Sequence, residues 1–226
     1  MTTCTGGALP PVPSTPVTSM RPIRLLAALG LLGLLQPRTA LFAQAQGSRW
    51  TIAFHASRDA FQGGASDTTT VPGVRVEVLP APRVSYELSL GRRLGRTELL
   101  LDLGYANGAL RASSSAVVLE DRTVDMIRWR ARLLLARPVL GTSVVRLLLA
   151  AGPSVEHWTT TGFTDHDVIG GHFGAILRIG QGRVSYENQI FFGLSGSPFE
   201  ARDVPAPSQR ESLKTWSLGA GLRYRL

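Results

Sequence analysis

The last stretch of the chain, Leu213–Leu226, reads LKTWSLGAGLRYRL and decides the fold. From Trp216 onward every second residue is apolar or aromatic, and the residues between them are small, polar or basic. Because side chains alternate between the two faces of a strand, this stretch predicts a strand with one apolar face and one small or polar face. That combination is typical of a strand that meets lipid on one side and a lumen on the other.

The composition narrows the class of protein. The 226 residues are 44% hydrophobic and 18% charged, with a formal net charge of +8. The arginines are scattered through strand-like segments and form no basic cluster, so we expect no nucleic-acid partner. The single cysteine, Cys4, excludes an intrachain disulfide and a cysteine-based metal cluster. We predict no metal site and no cofactor.

The front of the chain is predicted to be a leader. Residues 1–19 carry no charge and are rich in threonine, proline and glycine, so we interpret them as disordered or as upstream sequence, with Met20 as the alternative start. Residues 20–45 have a basic start, an 11-residue apolar run and a small-residue cleavage site, the plan of a secretory signal. The run would rise only about 16 Å as a helix, too little to cross a bilayer. We therefore predict export, with residues 46–226 as the mature domain.

The mature segment can be divided into strands by its period-two alternation. Short connections at 91–96, 137–142 and 180–183 alternate with long ones, which is typical of outer-membrane barrels. We predict an all-β fold, an eight-stranded antiparallel up-and-down transmembrane barrel. The predicted strands are 49–57, 83–91, 97–105, 124–136, 144–156, 171–179, 184–194 and 213–226, and the predicted long loops are 58–82, 106–123, 157–170 and 195–212.

Two local features modify this plan. Val74, Val76 and Val78 share the outward parity of the second strand, so we interpret them as its outward extension. Pro80 and Pro82 lack an N–H and predict an interruption between the two parts. Asn188 falls on the predicted lipid side and breaks the apolar pattern, which suggests a bulge or a partner contact.

The inward positions collect five acidic residues and six arginines. Since the lumen of an eight-stranded barrel is just wide enough for side chains to fill, near-neutral charge predicts an ion-pair network that closes it. The alternative is a narrow, arginine-lined pore that selects anions. The predicted luminal charges are Glu87, Glu98, Asp102, Arg128, Arg130, Arg132, Arg146, Glu156, Arg178, Glu187 and Arg223.

Aromatic residues fall near the predicted ends of the outward faces. Trp50 and Tyr224 lie near the end that carries the short turns, and Tyr105, Phe173 and Trp216 lie near the other end. These five residues are candidates for the two aromatic girdles of a membrane barrel.

Two constellations were considered for chemistry. His55 and Ser57 are two residues apart, the spacing found in eight-stranded lipid A deacylases, but both share the luminal parity, so we expect no catalysis. The segment Asp165–Asp167, with His157 and His172 nearby, could ligate a divalent metal, but no spacing there is distinctive.

Residues 47–226 resemble the small outer-membrane β-barrels of the OmpA/OmpX and OmpW type. The resemblance rests on architecture, and Leu226 stands where that family has a terminal aromatic residue. It implies insertion by the outer-membrane assembly machinery, contact with outer-membrane lipids and lipopolysaccharide, and a structural or surface-interaction role rather than an enzymatic one. We expect a monomer in the cell outer membrane. A narrow channel, a lipid-modifying enzyme and a soluble lipocalin-like barrel are the alternatives.

Overall fold

The computed structural model describes residues 50–67, 75–114, 117–203 and 208–226, which are almost entirely strand. One turn of 3-10 helix spans Ala201–Asp203. In this described part of the chain, no helix has the length and apolar character that a membrane crossing requires. The strands are β1 (Trp50–Gln62), β2 (Ala65–Asp67), β3 (Val76–Pro80), β4 (Arg83–Leu94), β5 (Thr97–Ser113), β6 (Val118–Gly141), β7 (Val145–Thr160), β8 (His166–Ile179), β9 (Val184–Ser195), β10 (Gln209–Arg210) and β11 (Leu213–Arg225).

Eight long strands form a closed antiparallel barrel, which confirms the predicted fold class. Each long strand pairs with the next one along the chain, and β11 pairs with both β9 and β1. The closing pair runs from Thr51 opposite Arg225 to Gln62 opposite Lys214. The stretch that ends the chain therefore closes the ring, as its alternation predicts.

The register around the ring sets the width of the lumen. If paired residues are followed from strand to strand once around the barrel, the starting residue and the final residue on β1 are about ten positions apart. This stagger, the shear of the barrel, makes the strands tilt relative to the barrel axis. With eight strands such a lumen can be filled by side chains alone. The path runs through Ala53, Ser89, Asp102, Arg132, Ser154, Gly170, Ser195 and Leu213, and the next residue, Lys214, pairs with Gln62.

The predicted strand positions are confirmed, but two predicted long loops are largely strand. β5 continues to Ser113 and β6 begins at Val118, so most of the predicted loop 106–123 is a protruding hairpin. The predicted loop 157–170 is shortened in the same way by β7 and β8. The extensions still pair with each other, so their backbone groups are satisfied. The alternation fades there because neither face has to match a bilayer.

β3 extends the second long strand outward, as predicted. It pairs with β5 along the same edge as β4, from Glu77 opposite Ser113 to Pro80 opposite Leu110. The N–H of Ala81 donates to the carbonyl of Ala109 at 2.8 Å and carries the pairing through the break between the two strands. β2 pairs with β3, and β10 pairs with β2, so a small sheet continues the barrel at the end opposite the short turns.

The bulge suggested at Asn188 is absent, and the partner contact, the other possibility, stays a prediction. The register of β9 is unbroken on both sides, and the Tyr186 hydroxyl donates to Asn188 Oδ1 at 3.0 Å, which partly satisfies the amide. A register shift occurs instead between Pro138 and Leu140 on β6. Proline has no N–H to give to the ladder, so a bulge at this strand end is the expected response.

The predicted leader, residues 1–19, and the predicted signal peptide, residues 20–45, lie outside the described residues. So does Val74, which begins the segment interpreted as the outward extension.

Candidate functional site in the lumen

The two faces of each barrel strand differ sharply in exposure. On β4, Leu88 is 48% exposed, whereas its neighbour Glu87 is 2% exposed. On β6, Trp129 is 56% exposed, whereas Arg130 and Arg132 are 3% and 1% exposed. The barrel therefore buries its charges and exposes its apolar side chains, which is the reverse of a water-soluble protein.

The middle of the lumen is organised around Glu87. Its carboxylate accepts hydrogen bonds from Arg130, from Arg132 at 2.7 Å and from the Gln189 amide at 3.0 Å. Arg132 also donates to Asp102 at 3.1 Å. Arg130 and Arg132 stand two apart on β6 and so share the luminal face. Charge-assisted bonds of this kind let buried ions be retained without water.

A second network lies nearer the short turns. Arg178 on β8 holds both oxygens of Glu98, at 2.9 and 3.0 Å, and donates its Nε to Glu187 at 2.6 Å. Arg223 on the closing strand donates to Glu98 at 2.8 Å and to Glu187 at 3.2 Å. His55 is 2.9 Å from Glu187. This network ties β5, β8, β9, β11 and β1 together across the ring.

Near the opposite end of the lumen, Arg128 pairs with Asp59. The guanidinium also lies over the rings of Phe61 and Trp158, at 5.3 and 5.5 Å from their centroids. Such cation–π contacts replace part of the hydration that a buried arginine loses. Beyond them, Phe199 and Leu213 belong to an apolar cluster that covers this end.

The structure brings most of the predicted luminal charges together. Two members of the set are arranged differently. Arg146 lies at the mouth of the lumen beside the short turns and forms no ion pair with a described residue, and its Nε has no hydrogen-bond partner. Glu156 accepts from the Trp158 indole at 3.2 Å and approaches His172 at 4.0 Å. The nine that pair directly are Glu87, Glu98, Asp102, Arg128, Arg130, Arg132, Arg178, Glu187 and Arg223.

Asp59 and the apolar part of the lumen were not predicted. Asp59 continues the parity of His55 and Ser57, but β1 was expected to end at Ser57. A buried apolar cluster fills the side of the lumen near the short turns, and its Phe191 ring lies 4.6 Å below the Arg132 guanidinium. The cluster consists of Leu100, Leu134, Ala136, Leu148, Ala150, Ile176 and Phe191.

The predicted girdle residues all lie on the outward face. Phe173 packs on Phe192 at 5.2 Å between centroids, and Phe192 packs on Trp216 at 4.8 Å. Tyr105 packs on Trp129 at 4.8 Å. Near the short turns, Trp50 lies under the Arg92 guanidinium at 5.1 Å, and Tyr224 is 41% exposed.

The residues considered for catalysis have separate partners inside the lumen. His55 binds Glu187, and the Ser57 hydroxyl lies 2.7 Å from the Ser85 hydroxyl. Neither is open to a substrate from outside, because each is 4% exposed. This arrangement does not support the two-residue spacing as a nucleophile and base.

The residues considered for a metal are not brought together. His157 is on the outer surface and lies 2.7 Å from Asp167, with the Thr159 hydroxyl 3.4 Å away on its other nitrogen. His166 approaches Glu200 at 3.6 Å, and His172 is inside the lumen beside Ser154 at 3.1 Å. Within the described residues, no group of three such side chains is arranged to hold a metal ion.

Closure by eight antiparallel strands, an apolar exterior and a charged interior define an eight-stranded outer-membrane β-barrel fold. Comparison with solved structures agrees. Neisserial surface protein A is similar at a TM-score of 0.53 and 13% identity over 80% of this chain and 99% of that one. At such identity the likeness shows the fold alone.

Two further similar structures are outer-membrane barrels. The outer membrane protein AlkL matches at a TM-score of 0.48 and 12% identity over 84% of this chain and 95% of its own. The N-terminal β-barrel domain of OprF from Pseudomonas aeruginosa matches at 0.41 and 13% identity over 79% of this chain and 100% of its own. No family model and no curated protein matches the sequence.

Proposed function

We propose that the protein is an integral outer-membrane barrel with a sealed lumen, acting as a structural or surface-interaction protein through its protruding hairpins. One observation carries the proposal. The same strands that expose apolar side chains outward bury three groups of paired charges inward. Such a body is stable only where lipid covers its outside.

The contents of the lumen support sealing over conduction. The central carboxylate, Glu87, is satisfied by three side chains, and Arg178 and Arg223 share two carboxylates. A conducting pore needs charged groups that face water and exchange with passing ions. Here the nine charged groups that pair directly are each less than a tenth exposed, and apolar side chains fill the space beside them.

The surface beyond the barrel supports an interaction role. The β5–β6 hairpin and the small sheet of β2, β3 and β10 stand at the end away from the short turns. Val117, Val118 and Leu119, at the tip of the hairpin, are 55%, 53% and 65% exposed. Exposed apolar residues of this kind favour contact with another molecule.

We propose that the protein has no enzymatic activity and binds no cofactor. We also propose that it is a monomer whose partners are outer-membrane lipids, lipopolysaccharide and the assembly machinery. The separate partners of His55 and Ser57 support the first point. An unchanged acyl pattern of lipid A from expressing cells, measured by mass spectrometry, is the expected result. A shortened pattern would refute it.

Heat-modifiability on a gel tests the membrane barrel. Outer-membrane fractions of cells expressing residues 20–226 should contain a band whose mobility shifts on boiling, because a closed barrel resists detergent at room temperature. A matched control lacks Leu213–Leu226 and so cannot close the ring; its band should not shift. An unshifted periplasmic band from the whole chain would refute the proposal.

Planar-bilayer recording then separates a sealed lumen from a narrow channel. The purified folded barrel should give no steady conductance in symmetric salt. Steady anion-selective steps that Arg132→Gln alters would support the channel instead and overturn the sealed lumen.

A further inference from the structure

The end of the barrel that carries the short turns has an unusual charge. Its turns and the adjoining strand ends contain arginine and, apart from luminal Glu98, no acidic residue. None of these arginines forms an ion pair with a described residue, although Arg93 donates to the nearby Gly95 carbonyl at 3.1 Å. We call this set the arginine rim. It consists of Arg92, Arg93, Arg96, Arg137, Arg146, Arg183 and Arg225.

The opposite end is different, because acidic residues lie among its basic ones and several of them form pairs, such as Arg83 with Glu120 at 3.5 Å. Arg75 contacts Glu77 at 3.0 Å and Glu211 at 2.5 Å. Arg202 contacts Glu200 at 2.8 Å. The arginine rim is therefore a feature of one end of the barrel and not a general property of an arginine-rich chain.

The pairing of the strands brings three of the rim arginines close together. Arg92 stands opposite Trp50, and Arg225 stands opposite Thr51, the next residue of β1. The Arg225 N–H donates to the Arg183 carbonyl at 2.8 Å. At the mouth of the lumen, Arg146 is repelled by Arg178, Arg225 and Arg93 and attracted by Glu98. Like charges held together with few counter-charges attract an anion.

The apolar residues between the arginines identify the kind of anion. Leu94 and Leu140 are 48% and 70% exposed, next to Arg93 and close to Arg137 in the chain. Trp50 lies flat beneath Arg92 on the outward face. A soluble polyanion would leave these apolar groups in water, whereas a phospholipid supplies both a phosphate and acyl chains. Guanidinium groups also suit phosphate oxygens, which they can bind in pairs.

We propose that the arginine rim is a binding surface for the headgroup phosphates of anionic glycerophospholipids in the leaflet beside the short turns. The inference rests on the proposed membrane location. It adds that the barrel selects anionic lipid at one end, through arginines that belong to no luminal ion pair. Basic side chains near a membrane surface each favour anionic lipid, so a ring of them gives a marked preference.

The test compares two triple variants of the full barrel. Arg93→Gln, Arg137→Gln and Arg183→Gln remove three exposed rim charges and leave every luminal pair in place. Arg75→Gln, Arg83→Gln and Arg202→Gln remove the same charge from the opposite end and serve as the control. Each protein is placed in phosphatidylcholine nanodiscs with and without phosphatidylglycerol, and retained lipids are counted by native mass spectrometry after bulk lipid is stripped.

The wild type and the control should retain phosphatidylglycerol in preference to phosphatidylcholine. The rim variant should lose about fivefold in that preference for each arginine removed. Equal retention by all three proteins would overturn the proposal. Displacement of phosphatidylglycerol by inorganic phosphate at equal concentration would also overturn it, since the rim would then bind free phosphate and not lipid.

This result is distinguishable from a failure of the proposed function. A chain that does not insert into phosphatidylcholine at all refutes the membrane barrel. A chain that inserts and shifts on heating, yet shows no preference for phosphatidylglycerol, refutes the arginine rim alone.

Discussion

Glu87 and Leu88 are neighbours on β4, yet their side chains lie on opposite faces of the barrel wall. Glu87 points into the charged lumen, and Leu88 points to the apolar exterior. Glu87 is 2% exposed and lies among arginines in the lumen, and Leu88 faces outward with nearly half its surface exposed. The comparison shows that the barrel has two cores of different chemistry, one made of paired charges and one completed by lipid. Stability should therefore depend on the face a residue occupies more than on its polarity.

The largest effect is expected on the luminal side, from Glu87→Ala. Arg130 would lose its ion-pair partner, and Arg132 would keep only Asp102, so buried positive charge would be left uncompensated. We expect a loss of about 3–5 kcal/mol in the free energy of unfolding, measured by urea titration in vesicles. Ser89→Ala, on the same face of β4, is the control. Equal effects of the two substitutions would show that the network does not stabilise the barrel.

Phe191 and Phe192 allow the luminal and outward faces to be compared with the same residue type. Phe191→Ala opens a cavity beneath Arg132 in the luminal cluster and should cost about 3 kcal/mol or more. Phe192→Ala removes two aromatic contacts on the outward face, where lipid can fill the gap, and should cost about 1 kcal/mol. The same urea titration measures both. A larger loss for Phe192 would contradict a packed lumen.

A charge placed on the outward face tests the lipid side directly. Leu88 lies near the middle of β4, so Leu88→Arg should cost about 2–4 kcal/mol in the vesicle titration. Val84→Arg, four residues closer to the outer end on the same face, should cost about 0–1 kcal/mol. Equal costs at the two depths would mean that this face does not meet a bilayer.

The smallest effect is expected at Asn188, the polar residue on the outward face. Asn188→Leu gives up the bond from the Tyr186 hydroxyl but places an apolar group in lipid, so the free energy of unfolding should change by less than about 1 kcal/mol. Tyr186→Phe separately removes that bond. A loss well above this range for Asn188→Leu alone would indicate a protein partner at the site and contradict the monomer.

The fold was predictable because a bilayer and a narrow lumen impose opposite demands on alternate residues. The closing strand shows this best, since Trp216, Leu218 and Leu222 are exposed while Thr215 and Ser217 are buried. The parity also placed the luminal arginines correctly on β6. It could not show which charges would pair, because partners such as Arg178 and Glu98 are 80 residues apart and meet only through the ring.

Other parts of the site left little trace in the sequence. Leu134 and Leu148 lie in runs of leucine where inward and outward residues are alike. The sequence therefore does not indicate that one side of the lumen is apolar. β2 and β10 are three and two residues long, too short for any periodicity. Asp59 was detectable in principle, since it continues the luminal parity of His55, but the end of β1 was placed five residues too early.

The length of β6 determines how far the β5–β6 hairpin reaches beyond the apolar band of the barrel. Its 24 residues span about 80 Å along the strand and, at a tilt of about 45°, rise about 55 Å. The apolar band of such a barrel is only about 25 Å tall. The β5–β6 hairpin therefore extends well beyond such a band, and Val117–Leu119 at its tip are exposed for contact with another molecule.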